Sequence, residues 1–329
     1  ERVAIDPVTL DIIENALRNA RIEMDATLVR TAMSPGIREQ GDAFPLIADH
    51  TGKMIVGQFG SFIGGFLDNF DGTLEDGDMI FLSDPYSVGG AISHSNDWLV
   101  LLPVFKDGRL IAYTSMFGHQ SDIGGKVVGS MPINARSIFE EGVRIPPVKI
   151  WDKGKPRNDV INMILTNMRA RRDQEGDFRA LIGACQVGER NLIAMLDKYG
   201  KAEVDACVDT LLDMADRHMR ALIATVPDGT YEGSAILEDA GHGFGDFEIK
   251  ATVTITGDSC HIAIDSPPQV PYFINSYEGN SYSGVYLGLM MFAQLPPPYN
   301  EGLYRCVTVN MGQKGTLCNA VEPAPHTTK

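Results

Sequence analysis

Residues 84–125 read DPYSVGGAISHSNDWLVLLPVFKDGRLIAYTSMFGHQSDIGG. Two apolar runs rich in β-branched and aromatic residues, Trp98–Phe105 and Leu110–Phe117, flank Lys106-Asp107-Gly108-Arg109. Asp-Gly between such runs predicts a hairpin, because a two-residue type I′ turn needs positive φ at both central positions. If Lys106 pairs with Arg109, the register places Asp97 opposite Gly118 and His94 opposite Ser121. His94, Asp97, His119 and Asp122 then converge at the open end of one hairpin. A lone histidine in a loop is ordinarily solvated, and an aspartate at a strand end ordinarily caps a turn. Here His-x-x-Asp recurs on both arms of the same turn. Two imidazoles and two carboxylates gathered at a strand end are the donor set of an N/O metal site.

Upstream, Asp6-Pro7 supplies an N-cap and an N1 proline. Leu10, Ile13, Leu17, Ala20, Met24 and Leu28 follow at helical spacing, which predicts an amphipathic helix over residues 8–31. Ala43–Ala48 and Lys53–Gln58 read as strands about the turn Asp49-His50-Thr51-Gly52. Asp42 stands at the start of the first of them, as a turn cap or a further oxygen ligand. The Gly- and Phe-rich stretch Gly57–Gly72 carries no phosphate-binding spacing. It reads as backbone passing close to something, or as the start of a short helix. Met79–Ser83 reads as a strand. Residues 124–147 have no regular period, and so long a loop marks a functional or partner-pinned segment. Glu140 and Glu141 within it read as solvated loop residues or as supporting carboxylates.

Downstream, residues 158–168, 177–199 and 203–225 read as helices. Arg169, Arg171 and Arg172 lie between the first two, as a salt-bridged linker or an anion holder. From Pro227 the period switches to two, with strands at Thr230–Leu237, Phe247–Thr256, Ser259–Asp265 and Tyr304–Asn310 and a helix at Ser281–Gln294. His242 and His261 fall in this part, His261 at a surface position. The expected fold class is α+β, with β-hairpin-rich mixed sheets and a central helical segment. The expected divisions are a metal-site α+β region (1–155), a helical segment (156–226) and a β-rich C-terminal region (227–329). The last ends in VEPAPHTTK without a closing element and is expected to be incomplete.

The net charge of −15, from 43 acidic against 28 basic residues, argues against nucleic-acid or anionic-membrane binding, which need a basic footprint. No apolar run reaches the ~18 residues of a membrane span. The five cysteines are scattered and form no C-x-x-C pair, which favours reduced thiols and a cytoplasmic protein over a disulfide framework.

The stretches DPVTLDIIENAL, FLSDPYSVGGAISHSND, GHQSDIGG, GSMP, EEGVRIPPVKI, CQVGERN, PDGTYEG and NEGLYR, running from about Asp6 to Lys329, resemble the hydantoinase B/5-oxoprolinase family. The resemblance implies a divalent metal, zinc or manganese, held by His94, Asp97, His119 and Asp42. Asp122, which matches the family's Asp before Gly-Gly, is carried over as a supporting catalytic carboxylate. It also implies a hetero-oligomer with a hydantoinase A-like ATPase subunit that holds ATP and magnesium and phosphorylates a small-molecule substrate. Cyclic-amide ring opening is the expected chemistry; ketone carboxylation and a non-catalytic scaffold for the ATPase are the alternatives. The chain departs from the family's DPYxGGTHxPD pattern. A longer Ser87–Ser93 segment precedes the histidine, and His-Ser-Asn-Asp replaces His-x-Pro-Asp, which unsettles any inference of substrate from the hydantoin hydrolases.

Overall fold

The computed structural model describes residues 5–58, 63–89, 92–239 and 243–326. Helix α1 (Pro7–Thr31) begins where the sequence predicts, with the Asp6 carboxylate accepting from the Thr9 amide at 3.0 Å. A single turn, α2 (Pro35–Arg38), follows. Next come β1 (Ala43–Asp49), β2 (Met54–Val56), α3 (Gly64–Asn69), β3 (Met79–Leu82), β4 (Asp97–Lys106), β5 (Arg109–His119), β6 (Val148–Asp152) and β7 (Lys155–Pro156). They form one sheet in the order β2-β1-β5-β4-β3-β6-β7, each neighbouring pair antiparallel. β6 and β7 are too short for their alternation to register in the sequence. Part of the Gly- and Phe-rich stretch, with His242, lies outside the described residues. Within the remainder, a Cβ on Gly65 would collide with the Val88 carbonyl, so this glycine seats the loop that leads to His94.

Three helices follow: α4 (Asn158–Thr166), α5 (Arg171–Tyr199) and α6 (Lys201–Ile223). α5 starts ahead of the expected Asp177. Asp177 lies within the helix, buried, and accepts from the Met33 amide at 2.6 Å, the Ser34 amide at 3.0 Å and the Ser34 hydroxyl. It ties α5 to the corner between α1 and α2. A Cβ on Gly188 would lie 2.6 Å from Met24 Sδ and 2.9 Å from Thr114 Cγ2, so glycine there lets α1, α5 and β5 close on one another. The C-terminal part holds β8 (Gly229–Leu237), β9 (Phe247–Thr256), β10 (Ser259–Asp265), α7 (Glu278–Ala293) and β11 (Val307–Asn310). Its four strands run β11-β10-β9-β8, with β10 and β11 parallel. The strand expected from Tyr304 starts later, because Glu301–Tyr304 winds into a 3-10 turn. His261 is exposed, as expected.

The seven-stranded sheet is covered on both faces. Trp98, Val100, Leu102 and Val104 of β4 pack with Met24, Leu28, Phe178 and Leu181 of the helical layer. Leu99 and Leu101 of the same strand join the opposite core, with Ile262 of β10 and Leu289 and Met290 of α7. A strand buried on both sides needs no polar face, which is why β4 reads as a nearly unbroken apolar run. The architecture is α+β. Among the described residues no helix is long and apolar enough to cross a membrane, and all five cysteines are free thiols.

The β4–β5 turn forms as predicted, with φ of 51° at Asp107 and 74° at Gly108. The expected register fails one step along. Phe105 faces Leu110, but Val104 faces Ala112, so Ile111 is an extra residue on β5. This β-bulge advances the pairing by one, so that Asp97 lies opposite His119, not Gly118.

Candidate metal centre

Three adjacent strands bring the site together. Ala43 of β1 faces Gly118 of β5, and the His119 amide donates to the Asp42 carbonyl at 3.0 Å. Asp97 flanks His119 from the other side, on β4. Asp42, His119 and Asp97 thus stand abreast at one end of the sheet. His94 lies in the loop before β4, which turns back through an Asp97 amide bond to the His94 carbonyl at 3.0 Å.

The donor atoms converge closely. His94 Nε2 is 3.1 Å from Asp97 Oδ1 and 3.1 Å from His119 Nδ1, and His119 Nδ1 is 3.2 Å from Asp97 Oδ1. This triangle of two imidazole nitrogens and one carboxylate oxygen, nearly equal-sided, fits a divalent ion. A point ~1 Å off its plane lies ~2.0–2.1 Å from all three corners, the bond length of such ions to nitrogen and oxygen. Asp42 Oδ2 stands farther off, 3.7 Å from His119 Nδ1, with its side chain 46% exposed. It forms the solvent-facing side of the group.

The electrostatics match. Burial alone would raise the Asp97 carboxyl, but the His94 and His119 rings hold it well below the usual carboxylate range. Burial opposes the charge on His119, yet Asp97 and Asp42 together lift its pKa above the ordinary imidazole value. Burial, reinforced by the charge of Asp97, raises Asp42 against the pull of both histidines. The site therefore concentrates negative potential where a cation would sit.

Asp122 stands apart from this triangle. Its carboxylate accepts from the Gly124 amide at 2.8 Å, the Gly129 amide at 2.8 Å and Arg169 Nη1 at 3.1 Å. Burial would raise it, but the two amides and Arg169 bring it below the usual range. Arg169 also donates to the carbonyls of Gly124, Gly125 and Val127, and Gln174 donates to the Asp122 carbonyl. Asp122 and Arg169 thus knot the loop that leaves His119. Arg171 and Arg172 are helical, and Arg171 bonds Thr166 and Asn162, so the three arginines do not form one cluster.

The two loop glutamates diverge. Glu140 pairs with Lys126 at 2.6 Å. Glu141 is buried and accepts from the His326 amide at 2.7 Å. Burial pushes its carboxyl up to about 8, outweighing the His326 amide and Arg144. The folded protein therefore holds a proton there that the unfolded chain has released, and stability falls as pH rises from the unfolded value through about 8. Glu141→Gln cannot ionise. Thermal melts of this variant are expected to lose that alkaline decline while matching the native protein in acid.

Beside the DPY turn, Tyr86, Tyr277 and His326 form an aromatic group that the sequence did not single out. The His326 ring meets Tyr86 edge-on at 4.6 Å and Tyr277 at 5.3 Å. Only Tyr86 lies in a recognisable motif; the other two arrive from distant segments without a local signal. A separate apolar cavity of about 650 Å³ lies between the four-stranded sheet and α7, lined by residues such as Val253, Ile262, Val285 and Leu289. None of the candidate ligands lines it.

Comparison with known proteins gives the lineage. The hydantoinase B/oxoprolinase family model matches residues 6–329. The chain is 54% identical over 334 residues to the beta chain of the caprolactamase of Pseudomonas jessenii, covering 98% of this chain and 56% of that protein. It is 29% identical to the B component of a putative D-/L-hydantoinase of Pseudomonas sp. (strain NS671), covering 98% and 58%. Among solved structures, the ATP-dependent caprolactamase from Pseudomonas jessenii superposes with a TM-score of 0.90 at 51% identity, covering 99% of this chain and 57% of that one. A nucleotide-free acetone carboxylase shares the fold, with a TM-score of 0.85 at 18% identity, covering 96% and 44%. The chain spans little more than half the length of the curated relatives it matches first. It belongs to the hydantoinase B/oxoprolinase family.

Proposed function

We propose that this chain carries the metal centre of an ATP-dependent enzyme that opens a cyclic amide. The observation that carries the reading is the 54% identity to a caprolactamase beta chain over 98% of the sequence. The convergent triangle of His94, Asp97 and His119 gives that identity a chemical content. Asp42 is the fourth ligand, and zinc and manganese both suit two imidazoles with carboxylates. An ATPase subunit of the hydantoinase A type, holding ATP and magnesium, completes a cytoplasmic hetero-oligomer and activates the substrate by phosphorylation. When bound, the divalent ion supplies Lewis acidity toward an oxygen of the activated amide.

The chain's own residues have separate tasks. Asp97, buried between two imidazoles, keeps both rings aimed inward and balances the charge they gather. His94 and His119 present Nε2 and Nδ1, so each ring must be the neutral tautomer with its other nitrogen protonated. Asp42, on the exposed side, accepts hydrogen bonds from water entering the site. The Asp122–Arg169 knot fixes the loop behind His119 and touches no reacting atom; Asp122 is a positioning residue.

The test uses the complete assembly with ATP. With a lactam, ADP release coupled to the ring-opened amino acid is expected, without any need for bicarbonate. ADP release that requires bicarbonate and yields a β-keto acid from a ketone would replace this reading with a carboxylase.

A further inference from the structure

A second cavity, of about 380 Å³, lies between the β1–β2 turn, α6, α7 and the 3-10 turn at Glu301–Tyr304. None of His94, Asp97, His119 and Asp42 lines it. Asp42 and the turn at Gly52 stand at opposite ends of β1, roughly 20 Å apart at ~3.3 Å per residue. The frame of the cavity is fixed by backbone. Gly57 and Tyr299 exchange two hydrogen bonds, at 2.9 and 2.8 Å, which lay the segment before Glu301 along the end of β2. The Met54 amide donates to Glu301 Oε2 at 2.7 Å. A Cβ on Gly302 would collide with the Leu212 carbonyl, so glycine lets this turn close on α6.

The lining combines aromatic faces with charges of both signs. Tyr282 and Tyr286 stand one helical turn apart on α7 with nearly parallel rings, centroids 6.2 Å apart, and Tyr304 meets Tyr286 at 4.0 Å. Such rings offer an ammonium group their negative faces and an alkyl chain a flat apolar surface. Glu301 is half-buried. Burial, reinforced by the Asp49 charge, raises its carboxyl against the pull of the Met54 amide, Lys53 and Arg305. A carboxylate so placed is short of positive charge, and a further cation beside it would restore the balance. Arg305 is committed to Asp213 at 2.7 Å. Lys53 is exposed, and its ammonium has no ion-pair partner among the described residues. A simple amine would meet repulsion from Lys53, and a simple anion would meet it from Glu301. A ligand that carries both charges on one short chain satisfies both.

We propose that this cavity binds a small ω-amino acid, its ammonium against Glu301 and the tyrosine faces and its carboxylate against Lys53. Opening a cyclic amide yields such a zwitterion, so the choice of ligand rests on the reading of the chain as part of a cyclic-amide hydrolase; the cavity and its charges do not. It is a second site, where product binds without occupying the metal centre. Gly89, in the segment that leads to His94, also lines it, so an occupant would touch the loop that carries one of the metal donors.

Isothermal titration calorimetry of the complete assembly measures binding of ε-aminocaproate, with caproate and hexylamine as probes that carry one charge each. Saturable binding of the zwitterion is expected, with each single-charge probe about tenfold weaker or more. Lys53→Met, which keeps the length of an exposed side chain, is expected to weaken ε-aminocaproate about tenfold and to bring it level with hexylamine. Glu301→Gln, whose amide oxygen can still accept from Met54, is expected to bring ε-aminocaproate level with caproate. Tm followed in parallel separates loss of binding from loss of fold. Native affinity in either variant, equal binding of the three probes to the native assembly, or no saturable binding at all overturns the proposal. Lactam turnover is measured separately on the native assembly. An assembly that opens no lactam yet binds as expected keeps the site and loses the functional reading. One that opens lactams without this binding loses the site alone.

Discussion

Replacing His119 by alanine is expected to remove the divalent ion and turnover together. His119 is the junction of the site: it meets His94 and Asp97 at 3.1 and 3.2 Å, and it is the one ring that Asp42 approaches. Without it, the remaining donors come from two strands that are not neighbours in the sheet, because β5 separates β1 from β4. Altering an outer partner of a metal ligand typically weakens binding ~10–100-fold, so loss of a ligand itself should weaken it by at least ~100-fold. Elemental analysis of the purified variant, with turnover measured on the same sample, gives the comparison. His94→Ala should behave alike. Asp42→Ala should keep more metal, since that carboxylate is half exposed and stands farther away. Stoichiometric metal and native turnover in His119→Ala would remove the centre from the chemistry altogether.

Asp122→Ala is expected to destabilise the fold by roughly 2–4 kcal/mol while leaving the metal donors in place. Its carboxylate satisfies two loop amides, and each buried donor left orphaned costs about 1–3 kcal/mol. The Arg169 guanidinium would also lose its counter-charge, although that side chain is 39% exposed and solvent softens the loss. Chemical denaturation measures the first effect and metal content the second. A carboxylate engaged directly in proton transfer would show the reverse pattern, with stability preserved and turnover reduced ~10²–10⁴-fold. Asp122→Asn separates the cases further, because an amide can still accept from one of the two glycine amides.

Much of this was legible because the hairpin carries its own punctuation. Asp107-Gly108 can adopt the turn at little cost, and the flanking residues suit a doubly buried strand. Asp6-Pro7 announced the first helix for equally local reasons. The convergence of His94, Asp97 and His119 followed from the hairpin, while for Asp42 the residues left turn cap and oxygen ligand open and the family resemblance chose between them. What stayed hidden depended on long-range packing. Ile111 is unremarkable as a residue, and nothing nearby indicates that it has no cross-strand partner. The second long helix was expected to start at Asp177, but the bonds of Asp177 to Met33 and Ser34 lie far away in sequence. Asp122 belongs to the same repeated pattern as Asp97, and only its bonds to Arg169 and the glycine amides separate knot from ligand. His326 and Tyr277 meet each other beside Tyr86 from segments with no shared pattern at all.

The β4–β5 pairing makes the site sensitive to counting rather than to chemistry. Between Val104 and Asp97 the strand climbs roughly 23 Å at ~3.3 Å per residue. Over that whole span the pairing keeps the phase set at the bulge. Exchanging Ile111 for valine or leucine would leave that phase untouched. Deleting it would remove only the kink: Phe105 would still face Leu110, Val104 would still face Ala112, and Asp97 would still face His119. Removing a residue from β4 between Asp97 and Val104 would instead bring Asp97 opposite Gly118 and onto the other face of the sheet from His119. In a library of variants, a one-residue deletion would be tolerated at the bulge and would disarm the centre when made on the strand facing it.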